Sequence, residues 1–442
     1  MNIYDGNGNI MQILDVDATL TKRGYAADAY AVGKRLEALS GLTKIEPADD
    51  DVPTVYFTGT LPTTKAQGKL PLEMMYVSKT ASFFSYVTLK VQGDSSAAYP
   101  KKNFNMVMYS DPERKTKMKR SMRGWGKNHK YCLKANWIDH THARNVVNAK
   151  LWGQMCASRS DIATYPSAFL ASPNYATIDG FPIRVYVNDV YWGLYTWNMT
   201  KDEFMFGGDE DNPLNAFAIA DDISPGVMFN SATTAGWTEE LTDVFSDSIT
   251  AAWVAMQNFV INSTDAEFKT NIGQYFYLSS LIDRYIFSNV TQYIGGFAKS
   301  QAYYTYDGAK WLSGMYDMDT AWALNWDGQS FLATNMACPG GFEGYKNGNH
   351  NRLIDRIIAL YPAEIKARYA ELRAGVLSNE NIIQMFQDFT DPMLPYYEQD
   401  YASTTGNGAF TNIPSKTTNT PESLISKITA RLAYTDSTIP NL

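Results

Sequence analysis

A chain of 442 residues, 45% hydrophobic and 19% charged, can bury a large core and has the make-up of a folded protein. Its net charge of −8 argues against general nucleic-acid affinity, and no apolar run reaches the roughly 20 residues of a membrane-spanning helix. Cys132, Cys156 and Cys338 lie too far apart for a metal motif, and the four histidines have no zinc spacing.

Residues 1–42 read as a separate segment. TLTKRGYAADAYAVGKRLEALSG has the pattern of an amphipathic helix that Thr19 or Thr21 caps and Gly41 stops. So short a helix is marginal alone in water, so it either self-associates in a bundle or docks on its own domain. The N-terminus has no basic n-region and no apolar h-region, so no secretory signal is expected.

From Val52 to about Ser110, strand-like runs dominate (VPTVYFTG, EMMYVS, FFSYVTLKVQG, FNMVMYS), which predicts an antiparallel sheet. Residues 111–150 turn basic and then helical. FPIRVYVNDVYWGLYTW (181–197) is a hairpin turning at Asn188-Asp189. The acidic, Gly/Asn-rich stretch 207–245 has few periodic signals and reads as a surface insertion. Helical spacing follows over 248–290. A second hairpin turns at Asp307-Gly308, helices resume over 351–390, and a polar loop (402–421) precedes a last helix near Pro421. The pattern predicts an α+β fold: a sheet lobe over about 52–205 and a mostly helical lobe over about 248–442.

The chemistry gathers in a few places. Gly93, Asp94, Ser95 and Ser96 form an exposed turn before Lys101 and Lys102, a plausible polyphosphate cradle. If both lysines lie on a strand, alternation lets only one meet a phosphate, and Lys102 is favoured. Lys134, within an apolar run, and Arg144, in HTHARN, are further candidates. Between Lys101 and Lys134 stand eleven Lys and Arg against two acids, the footprint of an anionic partner or of a solvated loop. Asp317 and Asp319, two apart at a strand end, suit a magnesium ion held with nucleotide phosphates, or else a cap and a salt bridge. Lys201, Asp202 and Glu203 are placed to supply a carboxylate to a phosphate-binding lysine. GxGxxG, GxxxxGK[ST] and GxSxG are all absent.

GDSSAAYPKKNF, LKANWIDHTHARN, RVYVNDVYWGLYTW and YDMDTAW occur in the order seen in the CotH-type kinase-like family, and over about Val52 to Asp327 the chain resembles it. The resemblance implies a two-lobed atypical kinase-like fold using ATP and Mg2+, with Lys101, Lys102 and Arg144 as nucleotide-side cations and Asp317 and Asp319 as metal ligands. Lys299 survives from the family's DN-x-x-KN stretch. The expected catalytic Asp falls on Gly295, an expected metal-side Asn falls on Ser300, and Ala323 replaces a glycine after DMDTA. Transfer chemistry is therefore expected to be lost, and neither Asp283, in a helix, nor Asp307, in a hairpin turn, has a geometric reason to replace the base. Residues 19–39 resemble segments of phage fibre and tail proteins. They imply a virion structural protein of the head-fibre, tail or baseplate type, made in the host bacterial cytoplasm. Its expected partners are other virion proteins, a host surface and further copies of itself; no membrane and no specific nucleic acid is expected. An active ATP/Mg-dependent protein kinase is the alternative.

Overall fold

The computed structural model describes residues 51–220, 222–336, 350–402 and 418–442, with the backbone of two short strands, β1 (Ile3–Tyr4) and β2 (Ile10–Met11). The helix expected over residues 19–41 lies outside the described residues, as does Cys338. The fold is mixed α+β, sheet-rich in the N-terminal region and helical in the C-terminal region. It comprises two compact units: Met1–Trp137 with Gly180–Thr200 and Asp391–Ile413, and Ile138–Asp179 with Lys201–Thr390 and Pro414–Leu442.

The first unit is built on β3 (Thr54–Gly59), β4 (Leu70–Val77), β5 (Ser82–Gln92), β6 (Asn103–Tyr109), β7 (Arg120–Ser121), β8 (Lys127–Asn128), β9 (Lys130–Lys134), β10 (Gly180–Val187) and β11 (Val190–Asn198). Seven of them run in the order β5-β4-β3-β10-β11-β9-β6, and β6 pairs back onto β5 to close a barrel-like sheet. Closure satisfies both edges, which an open sheet leaves unpaired. The predicted strands are present, but β3 and β10 pair in parallel where an antiparallel sheet is expected. Burial alternates along β5, so Phe83, Val87, Leu89 and Val91 join Trp197 and Tyr195 in the barrel interior. β10 is buried on both faces, its outer side partly covered by a helix in which Tyr396 lies under the Arg184 guanidinium, 4.5 Å from the ring centroid. The Asn188-Asp189 turn holds φ values of 48° and 70°, as a two-residue hairpin with the sheet's twist requires.

The second unit carries the helices α1 (Arg144–Ala157), α2 (Ser167–Ala171), α3 (Glu203–Phe206), α4 (Asp247–Asn262), α5 (Asp265–Tyr275), α6 (Leu278–Val290), α7 (Arg352–Leu360), α8 (Pro362–Arg373) and α9 (Asn379–Thr390); the final one, α11 (Pro421–Thr438), follows α10 (Leu394–Ala402) of the first unit. α6 is buried along its length from Ser280 and packs on α1, α7, α8 and α11. The helix is not apolar all round: its buried charges are paired, Asp283 with Arg159 and Arg368, and Arg284 with the Gly296 carbonyl. Against it lies a sheet ordered β13 (Trp237–Glu239), β12 (Ala216–Ala220), β14 (Gln301–Thr305), β15 (Leu312–Met315). The stretch 207–245 is therefore not a surface insertion only. Its AFAIA run forms β12, a central strand with every residue buried, and a short apolar run without alternation is how such a strand reads.

Candidate functional site

In the first unit, the 93–102 segment is held by local bonds and by an ion pair between Asp94 and Lys65 (2.8 Å). Gly93, at φ +98°, starts the turn; the Lys102 ammonium donates to the Ala97 carbonyl (2.8 Å) and Asn103 to the Ser96 hydroxyl (3.4 Å). Both lysines precede β6 rather than lying on it, so strand alternation does not sort them. The buried one is Lys101, not the favoured Lys102. Its ammonium donates to the Leu194 carbonyl (2.6 Å) and to Asp400 on α10 (3.0 and 3.3 Å), with the Tyr195 ring 4.9 Å away. Asp400 also accepts from the Leu194 N–H at 2.7 Å. Burial draws the Lys101 pKa down, opposed by the Asp400 charge. Gly193 permits this packing: at φ +144°, its added Cβ would lie 2.7 Å from Asp400 Oδ1 and 2.9 Å from Lys101 Cε. The carboxylate that meets the lysine thus comes from α10 and not from the 201–203 segment. There Lys201 pairs with Glu240 (3.1 Å), and Asp202 caps α3. Lys134 ends β9 half-buried.

In the second unit, the DMD segment follows β15 rather than ending it. Met318 is buried, with its N–H on Asn145 Oδ1 (3.1 Å), while Asp317 is exposed and Asp319 half-buried. The backbone here is irregular, with Asp317 at φ 57°, so strand alternation does not put the two carboxylates on one face. Trp322 pins the loop through its indole N–H to Asn148 (2.9 Å) and its backbone N–H to Thr291 (2.6 Å). Ala323, in place of the expected glycine, sits at φ 69°, a conformation glycine adopts without strain.

Arg144 is fully buried at the start of α1. Its Nη1 donates to Asp139 (2.6 Å) and to Asn419 (2.7 Å), and Nε donates to the Ala321 carbonyl (2.8 Å). Asp139 also accepts from the Arg144 backbone N–H (2.8 Å) and the Thr141 hydroxyl (2.7 Å). Burial alone would raise the Asp139 pKa; the Arg144 charge and these hydrogen bonds outweigh it and hold the carboxyl below its usual range. Arg144 therefore ties α1 to the loop after DMD, within electrostatic reach of Asp319.

The expected base position is filled by other groups. An added Cβ at Gly295 would lie 2.8 Å from Ser300 Oγ, 2.9 Å from the Tyr293 hydroxyl and 3.0 Å from Ser300 Cβ. Tyr293, 1% exposed, donates to the carbonyls of Tyr316 (2.6 Å) and Asp317 (3.0 Å). The turn carbonyl of Gly296 accepts from Arg284, a fully buried cation on α6 that also donates to Ser313 and the Gly314 carbonyl. Lys299 is exposed beside this turn. Asp283 is fully buried between Arg159 (2.6 Å) and Arg368 (2.9 Å), and Asp307 binds the backbone N–H groups of its own hairpin turn.

Asp317 and Asp319 are hard oxygen donors of the kind that hold Mg2+ together with phosphates. Among the described residues, no three His, Cys, Asp or Glu side chains gather into a site that would hold a metal unaided. The metal side of a phosphotransfer site thus fits in part, and its proton-accepting side does not. Asp400, Asp139, Asn419 and Tyr293 all escape a reading of the sequence. Asp139 alone leaves a local signal, an acid five residues before Arg144 in DHTHAR.

No curated protein matches the chain. The family model described as CotH kinase protein matches residues 89–435, which contain the lysine turn, the Arg144 hub, the Gly295 turn and the DMD loop. The chain belongs to the CotH kinase protein family.

Proposed function

We propose that this protein is a kinase-fold member of its family that has lost phosphotransfer and serves as a structural or host-contact component of a phage or prophage particle. The two units are read as the sheet and helical lobes of an atypical kinase-like fold. The observation that carries the loss is the Gly295 turn, where Tyr293 and Ser300 occupy the space a catalytic Asp side chain would need. General-base help and nucleophile positioning contribute orders of magnitude in rate, and glycine supplies neither. The particle assignment rests on the resemblance of residues 19–39 to fibre and tail segments.

On this reading ATP and Mg2+ remain weak ligands at most. Asp317 and Asp319 would hold the metal, and Lys299, exposed in the same unit, is the cation that would add charge for the phosphates. Lys101 and Arg144 are already committed to Asp400 and Asp139. Calorimetry with ATP should show binding no tighter than about millimolar, dependent on Mg2+ and lost in Asp317→Ala. Micromolar affinity that survives Asp317→Ala contradicts this assignment. Mass spectrometry of purified particles tests the setting, since a protein absent from every particle fraction is not a virion component. The preserved DMD pair favours the alternative of an active kinase, which a turnover assay separates from the present reading.

A further inference from the structure

We propose that this protein associates with further copies of itself head to tail, the basic hairpin of one copy seating on an acidic, partly apolar pocket of the next. The inference is independent of the catalytic reading. From Asp202 to Phe268 the chain carries thirteen carboxylates and no Lys or Arg. The exposed acids Asp209, Glu210, Asp211 and Asp243 fall in this stretch, and Glu210 and Asp211 line a cavity of ≈ 270 Å³ with Ala216, Phe245 and Ile249. At this cavity apolar groups face water: the lining residue Val244 is 72% exposed, and Leu214, between the lining residues Pro213 and Asn215, is 45% exposed. Carboxylates beside solvent-facing aliphatic side chains suit a partner that is cationic and offers some apolar surface.

The same chain presents that chemistry. Over residues 118–123 burial alternates strictly: Met118, Arg120 and Met122 are buried, while Lys119, Ser121 and Arg123 face solvent. Met118 and Met122 anchor in the barrel core, and the Arg120 guanidinium lies 4.1 Å from the centroid of the Phe83 ring. The segment is thereby fixed with Lys115, Lys117, Lys119, Arg123 and Lys127 exposed, Lys117 also donating to the Tyr109 hydroxyl (3.0 Å) and the Arg123 guanidinium lying 4.7 Å from the Phe181 ring centroid. Trp125, half-buried, sits at its turn between Gly124 and Gly126. A nucleic acid is the less fitting occupant of the hairpin: the chain is net −8, and a lone half-buried Trp offers no stacking platform. Both complementary surfaces lie on one chain, so the contact is heterologous and can repeat from copy to copy.

The test is the solution mass of the full chain, by light scattering and sedimentation, at about 50 mM and about 500 mM NaCl. Association is expected at low salt and loss of it at high salt. The triple variants Lys115→Glu/Lys117→Glu/Lys119→Glu and Asp209→Lys/Glu210→Lys/Asp211→Lys should each weaken it by at least about tenfold. Mixing the two variants should restore it, because each reversed surface then meets its complement. A wild-type chain that stays monomeric at both salts overturns the proposal, whether or not the variants fold. So does mass that ignores either reversal, or a reversal that shifts only the melting temperature of a monomer, which would mark a contact within one chain. Loss of nucleic-acid binding in the basic variant, with self-association unchanged, also overturns it.

Discussion

Asp139→Ala is expected to destabilise the protein by about 3–5 kcal/mol, since removing one partner of a buried ion pair leaves the other charge without compensation. Arg144 has no exposed surface, its remaining hydrogen-bond partners, Asn419 and the Ala321 carbonyl, are neutral, and the half-buried Asp319 acts on it only through space. Chemical denaturation of wild type and variant measures the difference, and a loss below about 1 kcal/mol, the ceiling for an exposed pair, contradicts the buried-hub description. The pH dependence has a fixed sign. The Asp139 carboxyl lies below its usual range in the folded protein, so its contribution is complete above about pH 4 and fades as pH falls through the folded value. In Asp139→Asn that component of the acid slope should disappear.

Gly295→Asp, which restores the residue type the family pattern expects, should destabilise the protein by about 1–3 kcal/mol and yield no phosphotransfer. Its Cβ would meet Ser300 and the Tyr293 hydroxyl inside 3.0 Å or at it, and Tyr293 is held by two backbone carbonyls that leave it little room to withdraw. Two of the three close contacts are to Ser300. Adding Ser300→Gly should therefore recover part of the loss, read as a higher denaturation midpoint in the double variant. Full stability in Gly295→Asp alone would mean that the turn has space the packing denies.

The parts of this fold legible in the sequence are those written in local pattern. Strand alternation in FFSYVTLKVQG, the Asn188-Asp189 turn and the capped helix after Thr420 each depend on neighbours within a few residues. Barrel closure does not, because nothing in β5 or β6 announces that they pair with each other as well as with β4 and β9. β12 was hidden for another reason: its five apolar residues sit in a stretch whose acidic flanks dominate the composition.

The site divides along the same line. The family's motifs give the positions of Lys101, Arg144 and the DMD pair, and the substitution at Gly295 is visible as a departure from them. What those side chains do depends on partners far along the chain. Asp400 lies 299 residues from Lys101, and Asn419 lies 275 from Arg144. Alternation along a strand favours Lys102, whereas burial and an ion pair with Asp400 single out Lys101. No spacing rule marks Tyr293 as the residue that fills the space beside Gly295.

Phosphate transfer from radiolabelled ATP, with and without Mg2+, to the protein itself and to the proteins of a purified particle tests the central claim most directly. The account predicts no incorporation above that of Asp317→Ala. Magnesium-dependent incorporation by the wild type that Asp317→Ala abolishes would contradict it and establish a working kinase built around a base other than residue 295.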